Sequence, residues 1–90
     1  VNRSNEEAFK YLKIAADAGL MKGQTLLGEC YEKGIGVDNS DELALKYYKM
    51  AADQGYPSAF HRLAIYYFYG RGGLKKSCED AFRCFLFAAE

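Results

Sequence analysis

Three cysteines, Cys30, Cys78 and Cys84, and a single histidine, His61, are the side chains of this 90-residue chain best suited to nucleophilic or metal chemistry. A thiol nucleophile needs an imidazole within hydrogen-bond reach and a third group to orient it, so Cys30 or Cys84 beside His61 would be the pair. Cys30, however, adjoins Tyr31 on the packing side of its segment, and the residue 36 positions on is Tyr66. A buried thiol is the better reading. One histidine and three scattered cysteines make no tetrahedral metal set. Cys78 and Cys84 stand six apart, about 240° around a helix, and so face apart. An odd cysteine count without framework spacing reads as reduced thiols in a reducing compartment, hence cytoplasmic. Neither catalysis nor a metal or cofactor is expected.

Two further patterns invite chemistry. Gly34-Ile35-Gly36 and Gly70-Arg71-Gly72 resemble phosphate loops, but such loops follow a strand and open a helix. These follow helical patterns and precede linkers, so they read as helix-ending turns. Lys10, Lys46 and Arg83, with Lys13 and Lys49, form a basic ladder that could meet an acidic partner. Each of the first three has an acid four residues earlier, at Glu6, Glu42 and Glu79. That is the favourable order for a helical pair, worth roughly 0.2–0.5 kcal/mol, and it reads as a solvated outer face.

The totals narrow the function classes. Twelve basic and twelve acidic side chains leave no net charge, whereas nucleic-acid binders carry a basic excess. No apolar run reaches the roughly 18 residues of a membrane helix; the longest is Leu63 to Tyr69. Neither nucleic acid nor direct membrane insertion is expected. The chain opens on Val1, so its native N-terminus is expected to lie further upstream.

The elements that must position these residues recur. Glu7-Ala8-Phe9-Lys10-Tyr11 returns as Leu43-Ala44-Leu45-Lys46-Tyr47 and as Asp80-Ala81-Phe82-Arg83-Cys84. The Ala–Ala pair at 15/16 returns at 51/52 and 88/89. Leu27, Tyr31, Gly34 and Gly36 return as Leu63, Tyr67, Gly70 and Gly72. A period of 36 or 37 residues marks stacked supersecondary units.

One helix type, B, is expected over Ser4–Ala18, Ser40–Gln54 and Ser77–Glu90. Ser4 followed by Glu7 is a capping-box pattern, apolar residues at 8, 11, 12, 15 and 16 share a face, and Gly19 or Gly55 stops the helix. A second type, A, is expected over about Lys22–Lys33 and Ser58–Tyr69, with Pro57 in its first turn. Gly28 and Ala64 beside Leu27 and Leu63 let a neighbouring helix come close. The order B, A-B, A-B leaves both ends without a covering unit. That predicts exposed apolar ends, open to self-association, and an internal piece of a longer array.

These residues resemble the Sel-1-like repeat family. Gly23 through Val37 is similar to the first half of its pattern, and Ala44 through Tyr48, Ala51-Ala52 and Gly55 to the second. The resemblance covers essentially the whole chain. Departures are Ala64 for Gly, Gly73 for Val, one inserted residue before Ser77, and Cys84-Phe85 for an aromatic pair. The resemblance implies an all-α, right-handed superhelical solenoid of antiparallel helix hairpins, related to tetratricopeptide arrays. It implies one array over 1–90, divided at 1–21, 22–57 and 58–90. It also implies an adaptor that binds a protein or peptide. A cysteine-rich branch ties each hairpin with a disulfide; its sites are here Ala16, Ala52 and Ala89, so that branch is set aside.

By analogy with tetratricopeptide arrays, the concave groove is lined by Lys22, Thr25, Glu29 and Glu32, and then by Ser58, His61, Ile65 and Phe68. Each set is spaced 3, 4 and 3 apart, one helical stripe. The first is polar and charged; the second sets an imidazole beside an aliphatic and an aromatic side chain, as a docking groove would. Alternatively, Ile65 and Phe68 pack against a neighbouring repeat. The expected function is a non-catalytic scaffold binding a partner segment along this groove. The alternative is a structural spacer, tolerant of groove changes but sensitive to Gly28→Leu or Ala52→Leu, which would wedge the stack apart.

Overall fold

A computed structural model describes residues 3–89. Five helices follow one another: α1 (Arg3–Asp17), α2 (Met21–Lys33), α3 (Asp41–Asp53), α4 (Pro57–Tyr69) and α5 (Cys78–Ala89). There is no strand among the described residues. Helices α1, α3 and α5 are of type B, and α2 and α4 of type A. Each packs on its neighbours in chain order, giving an elongated stack of 40 × 22 × 16 Å. The architecture is an all-α solenoid. Val1, Asn2 and Glu90, which the expected array includes, lie outside the described residues.

Local chemistry accounts for the helix ends. The Ser40 hydroxyl accepts from the Leu43 N–H at 3.2 Å, and the Ser77 hydroxyl from that of Asp80 at 3.1 Å. Each cap satisfies one of the orphan donors of a first turn. Pro57 opens α4, where its missing N–H costs nothing. Gly34 and Gly70 end the two A helices in the left-handed region, at φ 71° and 69°, which a side chain would strain. The linkers then fold back alike: the Ser40 N–H reaches the Tyr31 carbonyl at 2.7 Å, and the Ser77 N–H that of Tyr67 at 2.9 Å. The extra residue of the second linker is thus absorbed without changing where α5 begins.

Two expectations about α1 need correction. Helical geometry reaches back to Arg3, so Ser4 lies inside the first turn and not at the cap; no Pro or Gly in Arg3-Ser4-Asn5 stops it. Tyr11, expected on the packed face, is 70% exposed. Its counterpart Tyr47 is 6% exposed because the Tyr31 ring of α2 stacks on it at 5.8 Å. No helix stands in that place beside α1 among the described residues.

The core is a line of small and aromatic side chains along the stack. Ala44, Tyr48, Ala51, Ala59, Ala64, Tyr66 and Leu27 are fully buried. The alanines let helix axes approach, and the rings fill the gaps that remain. Apolar surface is exposed at both ends: Tyr11, Ile14 and Leu20 at one, Phe82, Leu86 and Phe87 at the other.

Candidate functional site

Cys30 and Cys84 are buried free thiols, and Cys78 is an exposed one. Burial pushes the Cys30 thiol up, with Glu29 adding to the effect, and does the same to Cys84 beside Asp80. Both are therefore held in the unreactive protonated form. His61 sits edge-on to the Phe85 ring at 5.6 Å. No group of three or more metal-ligating side chains gathers among the described residues.

The two helix-A stripes have different fates. In α2, Lys22 is exposed, but Thr25 is only 4% exposed and turns its hydroxyl to the Met21 carbonyl at 3.0 Å. Thr25 therefore presents no surface to a partner, contrary to its place in the expected groove. Glu29 and Glu32 are half-buried and engaged with the next repeat. Arg62 of α4 pairs with Glu29. Arg71 donates to Glu32 at 3.2 Å and, through two nitrogens, to Asp41 at 2.7 and 3.1 Å. Its guanidinium lies 4.5 Å above the Tyr66 ring. The Tyr48 hydroxyl donates to Glu32 at 2.7 Å and that of Tyr66 to Asp41 at 3.3 Å. Burial, then Glu32, raises both phenols well above the usual tyrosine range. The first stripe is thus an ionic seam between repeats.

The second stripe stays open. Ser58 and His61 are exposed, Ile65 is half-buried, and Phe68 is 49% exposed. Ile65 and Phe68 line a shallow cavity of about 230 Å³ together with Tyr69 and Phe85. The Phe68 and Tyr69 rings meet edge-to-face at 5.0 Å. Sequence reasoning did not assign Tyr69 or Phe85 to the site, nor Arg62, Arg71 and Asp41 to the seam. The signal for Phe85 was present: it stands 37 residues after Tyr48. Tyr48 covers Gly28 and is fully buried, whereas Phe85 stands 42% exposed.

The expected outer face of the B helices is seen in part. Arg83 pairs with Glu79 at 3.0 Å, both well exposed, so the pair contributes little. Lys13 instead donates to the Tyr47 hydroxyl at 3.1 Å, and Lys46 lies 5.6 Å from the Tyr47 ring centroid. No described helix is long and apolar enough to cross a membrane.

Comparison with known proteins agrees with this architecture. Residues 1–20, 22–56 and 57–90 each match the Sel1 repeat. The chain is 36% identical over 70 residues to the chitin synthase regulator SKT5 of Saccharomyces cerevisiae, covering 78% of this chain and 10% of that protein. The crystal structure of a Sel1 repeat protein from Oxalobacter formigenes superposes with a TM-score of 0.91 at 33% identity, over 94% of this chain and 24% of that one. That of c5321, a protective antigen of uropathogenic Escherichia coli strains displaying an SLR fold, gives 0.88 at 31% identity, over 93% and 18%. The chain therefore spans between a tenth and a quarter of the length of these relatives. Sel1 repeats generally mediate protein–protein interaction.

Proposed function

The chain belongs to the Sel1 repeat family, and we propose on that premise that it is a non-catalytic interaction scaffold binding a partner segment at the helix-A face of its second repeat. Ile65 and Phe68 would supply the affinity. His61 and Ser58 beside them, and the exposed Lys22, would set the register; Glu29 and Glu32, expected in the groove, are held by Arg62 and Arg71 within the chain. The observation that carries this reading is the apolar cavity at Ile65, Phe68, Tyr69 and Phe85, on a chain whose other A helix is closed by ion pairs. Exposed aromatic surface of this kind marks interaction sites. One relative is a regulator of a synthase, which fits an interaction role. Three free thiols fit a cytoplasmic setting. The proposed array is one unit over 1–90, divided at 1–21, 22–57 and 58–90, and its apolar ends are where copies would self-associate.

Affinity capture from the source cells tests the reading. The chain is compared with an Ile65→Asp/Phe68→Ser variant of unchanged helicity. A partner recovered only by the parent chain supports the groove. Equal recovery would favour the spacer reading, with the partner bound elsewhere.

A further inference from the structure

We propose that the junction between the α2–α3 hairpin and the α4–α5 hairpin is a salt-sensitive joint. The pairs Glu29–Arg62 and Glu32–Arg71 latch α2 to the second hairpin, and α3 is the fulcrum on which that hairpin turns when the latches are screened.

The two sides of the junction are built differently. On the α3 side the contact is close and largely apolar. The Tyr48 and Tyr66 rings, both fully buried, meet edge-to-face at 5.5 Å. Ala44 and Ala51 of α3 and Ala59 and Ala64 of α4 are fully buried as well. The loop after α4 rests directly on α3: a Cβ at Gly72 would come within 2.9 Å of the Asp41 carbonyl oxygen and 3.1 Å of the Leu45 Cβ. Arg71 adds its two bonds to Asp41 on this same side. On the α2 side the ties are charges. Arg62 of α4 pairs with Glu29, and Arg71, just beyond α4, with Glu32 at 3.2 Å. These four side chains keep between 15% and 30% of their surface in water. The Tyr48 hydroxyl also holds Glu32, but from within its own hairpin.

The charges are particular to this junction. Thirty-six residues before Arg62 and Arg71 stand Leu26 and Ile35; 36 after Glu29 and Glu32 stand Ile65 and Phe68. Positions that carry charge here are apolar in the other copies. Apolar contact does not weaken as salt is added, whereas a part-exposed ion pair is weak to begin with and is screened. The screening length falls from about 30 Å in about 0.01 M salt to about 3 Å in about 1 M. Salt therefore loosens α2 from α4 and leaves α4 seated on α3, a hinge closure run in reverse. Opening turns the stripe of Ser58, His61, Ile65 and Phe68 away from Lys22 and changes the curvature of the helix-A face. The joint does not depend on what occupies that face.

Spin labels test it. Lys33 and Tyr69, exposed at the ends of α2 and α4, report the joint; Glu42, exposed on α3, paired with Tyr69 reports the fulcrum. The background is Cys78→Ser, since Cys30 and Cys84 are buried. Each distance is measured by double electron–electron resonance in about 0.01 M and about 1 M sodium chloride. The Lys33/Tyr69 distance should lengthen by more than its low-salt width. The Glu42/Tyr69 distance should stay within its own, with helicity unchanged. Arg62→Glu should lengthen the first distance already at low salt. The variant Glu29→Ile/Glu32→Phe/Arg62→Leu/Arg71→Ile gives this junction the residues of the other copies, and should keep the short distance at both salt concentrations. A Lys33/Tyr69 distance unmoved by salt in the parent chain would overturn the proposal. So would lengthening of both distances, loss of helicity with salt, or a salt response that survives in the apolar variant. If the apolar variant fails to fold, Arg62→Glu decides: a low-salt distance equal to the parent's overturns the latch.

Discussion

The Tyr48 ring lies so close to Gly28 that a Cβ at position 28 would come within 2.6 Å of a ring carbon. Tyr48 is fully buried and hydrogen-bonded to Glu32, so the ring has nowhere to swing. Alanine gains roughly 0.8–1.0 kcal/mol over glycine inside a helix, but overpacking costs about 1–3 kcal/mol. Gly28→Ala should therefore lower stability by about 1 kcal/mol, read as a lower urea midpoint at unchanged slope. An unchanged or higher midpoint would mean that the seam yields.

Arg71 joins two repeats through Glu32 and Asp41 and covers the Tyr66 ring. The guanidinium is 30% exposed, so screening discounts the charge contribution. Arg71→Ala should destabilise by about 1 kcal/mol. Arg71→Lys should recover only part of that, because an ammonium cannot reproduce the fork that holds Asp41. Denaturation at low and high salt should show the difference between parent and alanine variant shrinking with salt.

Alkali should expose the buried phenols. Tyr48 and Tyr66 have folded pKa values raised by burial first, then by Glu32. Above the unfolded tyrosine pKa of about 10 the unfolded chain loses protons that the folded chain keeps, so stability falls as pH rises. The phenols' contribution is fully present below pH ~10 and is lost progressively from there through the folded pKa values. Denaturation measured at pH 8, 10 and 11 should show the fall, and Tyr48→Phe should lessen its steepness.

Thiol titration should separate the cysteines. Cys78 is exposed, whereas Cys30 and Cys84 are 4% and 8% exposed with pKa values raised by burial. A disulfide reagent should modify one thiol rapidly in the folded chain and the other two only as fast as it opens. Cys78→Ser should remove the rapid phase.

The helix pattern was legible because its signals are local. Ser40 and Ser77 cap where the sequence places caps, and Gly34 and Gly70 stop the A helices through their own backbone geometry. The site was legible only in part. Spacing of 3, 4 and 3 tells which residues share a stripe, not what covers it. Thr25 and Phe68 share the pattern, yet one is buried and the other open. Glu29 and Glu32 are closed by Arg62 and Arg71, residues 33 and 39 positions away, pairings that no local rule supplies. Tyr11 failed for the same reason, since the ring that buries its counterpart belongs to another helix.

Ile65 and Phe68 are the proposed contact surface for a protein partner. Its most direct test is calorimetric titration of the captured partner segment into the parent chain and into the Ile65→Asp/Phe68→Ser variant, with helicity matched by circular dichroism. The Kd should rise at least roughly a hundredfold, about 2.8 kcal/mol, in the variant. Equal affinity for both chains would contradict it and move the binding surface off the helix-A face.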